Sequence, residues 1–357
     1  MLNFTVGPVM SDPEIIEVAN HSAPYFRTPE FSKIMLQNEK IMLEFLNAPI
    51  NSRCVFFTTS GTGAMESCVM NILNKQDKVI VINGGSFGQR FVELCELHSI
   101  QHTIVKCDFG HQIRSEQLQI LSNQGYTALL INMNETSSGT LYDMEMISAF
   151  CKQNNILLIV DAISAFLSDN VDMDKIGAAA VITGSQKALS VQPGVSIIAL
   201  TPQAITRINS NPEKCLYLSL KQALKNMERG QTPFTPAVTT LLQINARLNC
   251  ICNSGGVLKE SKKIRSLADD FRNGIKNLPL DLVSESPANA VTALRTRNNS
   301  AQEIIRILKD EYQIWACPNG GEIGKSVFRI GHIGFIRKED NDFLLKSLYE
   351  IYERGVF

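Results

Sequence analysis

A chain of 357 residues is longer than one compact core usually covers, so two domains, or a large domain with a smaller lobe, are expected. Hydrophobic residues make up 44%, enough for a substantial core, and a formal net charge of −1 argues against the basic footprint of a nucleic-acid binder. Nine cysteines without a CxxC pair and five histidines without HExxH spacing point to a reduced protein with neither a disulfide framework nor a metal site.

The N-terminal stretch MLNFTVGPVMSDPE has no basic region and no long apolar run, so neither a signal peptide nor a membrane span is expected, and the cytoplasm is the default location. Short apolar runs follow at Val55–Phe57, Val79–Ile82, Ala128–Ile131, Ile156–Val160, Ala180–Ile182 and Val195–Leu200. Most are continuous, the signature of strands buried on both faces. Amphipathic segments lie between them. In Asp143–Asn154, for example, Met144, Ile147, Phe150 and Cys151 recur at helical spacing. Such alternation predicts an α/β fold with a mainly parallel central sheet flanked by helices. Past residue 240 the pattern changes. Helices are predicted over Val238–Cys252 and Val257–Lys276, then a strand-like VTALRTR and a helix over Ala301–Glu311. A strand at QIWAC, another at Val327–Ile330 and a last helix from Asp340 complete the tail. The resulting division is a large domain over 15–245 and a small α+β domain over 246–357, with residues 1–14 packing beside the small one.

Three segments could carry chemistry. The strand VFFTT runs into Ser60-Gly61-Thr62-Gly63, and a helix with Ala64, Met65, Cys68 and Val69 on its apolar face starts there. Small residues at a helix N-terminus leave N–H groups free for an anion, although Ser/Thr capping is the ordinary alternative. The strand ILLIV ends in Asp161, placed where ligands bind in parallel sheets; a helix-capping Asp is the alternative. The run AAAVIT leads to Lys187, whose amine becomes nucleophilic if desolvated; a surface loop lysine is the alternative. Together they form a set. Pyridoxal phosphate needs an anion site for its phosphate, a carboxylate for its ring nitrogen and an amine for its aldehyde.

The segments SGTGAME, NGGSFGQR, ETSSGT, VDAISAF, GSQKALSVQPG, TPFTPA and FRIGHIG, after an FTVGPVM start, resemble the motif series of the class V aminotransferases. The similarity spans essentially the whole chain. It is narrowest to the branch with alanine–glyoxylate, serine–glyoxylate and 2-aminoethylphosphonate–pyruvate transaminases. The resemblance implies a fold type I enzyme with pyridoxal phosphate held by Lys187 as a Schiff base and by Asp161 at the ring nitrogen. It further implies Gly61, Thr62 and Gly63 under the phosphate, Phe87 stacked on the ring where relatives carry Trp or Tyr, and Ser137, Ile163 and Gln186 around the cofactor. Thr235, with Thr232, would reach the phosphate of the neighbouring subunit, which implies a homodimer with shared sites. Arg329 would grip the substrate carboxylate and Gly7 would line the same pocket.

Other residues receive plainer readings. Arg27 and Arg90 are expected in structural salt bridges, His332 in the interior, and Cys317 as a buried, inert strand-end thiol. Glu135 is given no role beyond bracing its loop. The expected activity moves an amino group from alanine, serine or a similar small donor to glyoxylate or pyruvate. GSQKAL resembles the alanine–glyoxylate type, whereas LYLSLKQALKNMERGQTPFTP resembles the 2-aminoethylphosphonate enzymes, which stand as the alternative. A cysteine desulfurase would need a reactive Cys on a mobile loop, and usually a His where Gln186 stands.

Overall fold

Seven strands form the central sheet of the computed structural model, which describes residues 1–357. They are β1 (Arg53–Phe57), β2 (Lys78–Asn83), β3 (Gln101–Lys106), β4 (Ala128–Asn132), β5 (Leu157–Asp161), β6 (Ala178–Gly184) and β7 (Ser196–Leu200). Their spatial order is β1-β7-β6-β5-β4-β2-β3. β7 runs antiparallel to both neighbours and the other pairs are parallel. Every residue of β4, β5 and β6 is buried, which explains their unbroken apolar composition. β3 escaped the sequence reading for a physical reason. It is an edge strand, and of QHTIVK only Val105 is buried, so no hydrophobic run marks it.

Helices cover the sheet, two of the three named next where the apolar spacing placed them. Helix α1 (Gly61–Ile72) leaves the end of β1 and buries Ala64, Met65, Cys68, Val69 and Ile72. Helix α2 (Ser86–Leu97) follows β2, and α3 (Met144–Gln153) leads to β5. Asp143 sets the start of α3 by accepting from the N–H groups of Glu145 and Met146. No helix is long and apolar enough to cross a membrane.

A second sheet is antiparallel throughout, with β8 (Leu280–Leu282), β9 (Val291–Thr296), β10 (Cys317–Pro318) and β11 (Val327–Gly331) in the order β8-β9-β11-β10. The expected single strand at QIWAC is two short pieces. Ile314–Trp315 pairs in parallel with Leu2–Asn3, and Cys317–Pro318 pairs with β11. The apolar interior divides accordingly. One cluster of 80 buried residues surrounds the central sheet, and a second of 19 includes Phe4, Phe271, Leu294, Phe328 and Leu348. Phe4 is wholly enclosed, so the N-terminal segment is anchored among C-terminal elements.

Register fixes what the sheet presents at its carboxyl edge. Asn132 on β4 lies opposite Asp161 on β5, and Asp161 lies opposite Ile182 on β6. The middle of β5 is correspondingly dry: Ile159 is 0% exposed. Ile159→Ala should cost roughly 2–5 kcal/mol, read as a lower urea midpoint at unchanged slope.

Candidate active site

Asp161 ends β5 at 5% exposure. One carboxylate oxygen accepts from the Asn132 side-chain amide at 2.6 Å, and the other accepts from the Ile163 N–H at 2.8 Å. Burial pushes its pKa up to about 6, against the pull of those two donors and of Lys187. Lys187 follows the end of β6 on the adjacent strand, and its ammonium donates to the Val6 carbonyl at 2.6 Å. Burial draws its pKa down to about 8, opposed chiefly by Asp161 and assisted by Arg329 and Arg90. The N-terminal segment thus closes one side of the site. Gly7, with φ +133°, passes so near that a Cβ there would lie 2.8 Å from Lys187 Cδ.

The start of α1 forms the opposite wall. The Ser60 side chain makes no cap bond, so the N–H groups of the first turn, Gly61 to Gly63, stay open to an anion at the positive end of the helix. Space dictates the glycines. A Cβ on Gly61 would lie 2.2 Å from Ile163 Cδ1, and one on Gly63 would lie 2.1 Å from Thr59 Oγ1. A cavity of about 140 Å³ results, bounded by Gly61, Thr62, Phe87, Asp161, Ile163, Gln186 and Lys187. Ser60, Arg90, Thr136 and Ser164 also line it. The sequence assigned none of these four a cofactor contact, although all lie inside the quoted segments SGTGAME, NGGSFGQR, ETSSGT and VDAISAF, and Thr136 and Ser164 share a 2.8 Å hydrogen bond.

Phe87 also bounds a neighbouring cavity of about 350 Å³, together with Ser86, Phe109, Ser137, Asn319, Ile323 and Arg329. Ser137, expected beside the cofactor, is placed here instead, and its hydroxyl donates to Glu135. Arg329 lies on β11. Its guanidinium donates to the carbonyls of Thr136 at 3.2 Å and Pro318 at 2.6 Å, while its Nε is buried without a partner. The chain supplies it no carboxylate, so a cation at this wall is left for an incoming anion.

Three plainer readings need correction. Arg27 is in no salt bridge; it donates to Gln231 Oε1 and to the carbonyls of Thr232 and Pro233. Arg90 has no carboxylate partner either, and its guanidinium rests 4.9 Å from the centroid of the Phe87 ring. Cys317 is half-buried rather than buried, in register opposite Arg329. His332 is interior as expected, bonded through Nε2 to Thr292 Oγ1. The chain does not bring Thr232 and Thr235 to its own cavity. They line a separate cleft beside the stacked rings of Tyr217 and Phe234.

Aminotransferase class-V is the family that matches residues 16–324, and the chain belongs to it. The protein is a pyridoxal-phosphate-dependent aminotransferase. The soluble hydrogenase 42 kDa subunit of Anabaena cylindrica is 27% identical, across 94% of this chain and 88% of its own length. Serine–glyoxylate aminotransferase of Arabidopsis thaliana is 26% identical, across 94% of this chain and 86% of its own. In fold, the crystal structure of an alanine–glyoxylate aminotransferase from Nostoc superposes with a TM-score of 0.92 at 22% identity, covering 98% of this chain and 95% of that one. The cavity fits the cofactor chemically. It offers open N–H groups for a phosphate, a buried carboxylate for a protonated ring nitrogen, and an amine held in a dry wall for an aldehyde.

Two outcomes follow from this geometry. Gly63→Ala should raise the cofactor dissociation constant at least roughly tenfold, measured by fluorescence titration of the cofactor-free protein. Only the neutral amine of Lys187 attacks an aldehyde, so the rate of cofactor capture should climb through pH 8, near the pKa of about 8. Asp161 stabilises the protonated amine, so Asp161→Asn should move that midpoint to lower pH in stopped-flow absorbance.

Proposed function

We propose that this aminotransferase takes its amino group from a small donor such as alanine or serine and delivers it to glyoxylate or pyruvate. The observation carrying this reading is Arg329. It is the one charged side chain lining its cavity, it has no carboxylate partner, and it lies next to the cavity that holds Lys187 across the shared ring of Phe87. A single cation suits an amino acid or oxo acid with one carboxylate and a neutral side chain. One such pocket can serve donor and acceptor in turn. The names of the serine–glyoxylate and alanine–glyoxylate relatives support the same substrate class.

In this reading the bound cofactor supplies an electron sink for the donor Cα. Lys187 would hold the cofactor through its aldehyde and would carry the proton at the donor Cα. A lysine with a pKa of about 8 suits both tasks near neutral pH. Asp161, steadied by Asn132 and the Ile163 N–H, keeps the ring nitrogen protonated. Gly61, Thr62, Gly63 and Gln186 would hold the phosphate, Ile163 and Phe87 would flank the ring, and Gly7 would bound the site beside Lys187. Thr232 and Thr235 serve the partner's phosphate in a homodimer, which accounts for their position outside the chain's own cavity. Nine free thiols suit the cytoplasm.

The 2-aminoethylphosphonate reading gains no second cation in the Arg329 cavity to hold a phosphonate dianion. For a desulfurase, Cys317 sits in a paired strand rather than on a loop.

The visible spectrum tests the proposal. A yellow band absent from Lys187→Ala should bleach with alanine or serine and return with glyoxylate or pyruvate. Arg329→Gln should raise the donor KM by roughly ten- to a hundredfold, and Cys317→Ala should leave the rate nearly unchanged. A band that no small amino acid bleaches would refute the transaminase assignment, and sulfide release from cysteine would favour the lyase.

A further inference from the structure

Glu135 is wholly buried, yet none of the chain's ion pairs includes it, and the chemistry above makes no use of it. A buried carboxylate without a cation must be satisfied by donors. Its donors are informative. One oxygen accepts from the Gly88 N–H at 3.0 Å. The other accepts from the N–H groups of Phe87 at 3.4 Å and Ser137 at 3.2 Å and from the Ser137 hydroxyl at 2.5 Å. Phe87 and Gly88 lie in the first turn of α2, whose own N-cap, Gly85, offers no side chain. Glu135, which ends the short strand Asn134–Glu135, therefore caps α2 from outside the helix, with its charge at the helix's positive end. Gly85 makes room for it, because a Cβ there would lie 2.6 Å from the Glu135 carboxyl carbon.

The residues that follow Glu135 face the other cavity. The Thr136 carbonyl accepts from Arg329, and the Ser137 carbonyl accepts from the Asn319 amide at 3.1 Å. One short loop thus holds the backbone that carries Phe87 on one side and the guanidinium of Arg329 on the other. We propose that Glu135 is a positioning residue that locks Phe87 against the cofactor ring and Arg329 against the substrate carboxylate in a single frame. This rests on the roles proposed above for those two residues.

A double-mutant cycle on the holoenzyme tests it. Glu135→Gln keeps the shape but loses the charge and sets an amide N–H₂ among N–H donors. It should weaken cofactor binding roughly tenfold, change the visible circular dichroism of the bound cofactor and raise the donor KM more than it lowers kcat. In a Phe87→Leu background the same change should add nothing to the cofactor dissociation constant. Gly85→Ala, which retains the carboxylate but displaces it, should reproduce the effects and stands in if Glu135→Gln does not fold. Independent, multiplying losses in the double mutant would overturn the proposal, as would cofactor affinity and dichroism like the parent's in either single variant. A Phe87→Leu protein that binds cofactor normally would instead remove the stacking role on which the proposal rests.

Discussion

A carboxylate and an amine are kept out of water at the ends of two adjacent strands, and the arrangement of the site depends on this. Desolvation alone would drive both groups neutral, since it raises the pKa of Asp161 and lowers that of Lys187. Each is held partway by the other's charge, and Asp161 also by the Asn132 amide and the Ile163 N–H. A pair balanced in this way suits a cofactor that brings a ring nitrogen to protonate and an aldehyde to trap. The dry, fully buried strands β4, β5 and β6 are what make the balance possible.

Around that pair the chain uses backbone rather than charge. One end of the cavity is an open helix turn, made accessible by glycines against which Ile163 and Thr59 pack. Anion binding by a helix N-terminus leaves no side chain to be mispaired when the ligand is absent. The N-terminal segment enters for a similar reason. Phe4 is anchored among C-terminal elements, and the residues just after it bring the Val6 carbonyl to Lys187 and run Gly7 along its stem.

The neighbouring cavity is built differently. Arg329 hangs from β11 of the second sheet and is steered by the carbonyls of Thr136 and Pro318. Its buried, unpartnered Nε marks a donor that the fold leaves for something else. Phe87 separates this cation from the Lys187 cavity, and the Arg90 guanidinium rests on the same ring. The two cavities therefore meet at one aromatic wall, with a cation on each side of it.

Local composition was sufficient to reveal the buried strands, because a strand enclosed on both faces has to be apolar throughout. It also marked the glycine turn at the head of α1 and the polar residues that end β5 and follow β6, since each signal lies within one short segment. β3 was invisible because an edge strand exposes its residues and carries no hydrophobic run. Long-range pairing was equally out of reach. The carbonyl partners of Arg27, the packing of Gly7 against Lys187 and the capping of α2 by Glu135 all join residues of different elements. Sequence by itself determined which groups could do the chemistry, because that depends on residue type beside a strand or helix end. Tertiary structure alone decided which of them are dry, which are already satisfied and which stand open to a ligand, because burial and hydrogen-bond partnership depend on what the fold brings alongside.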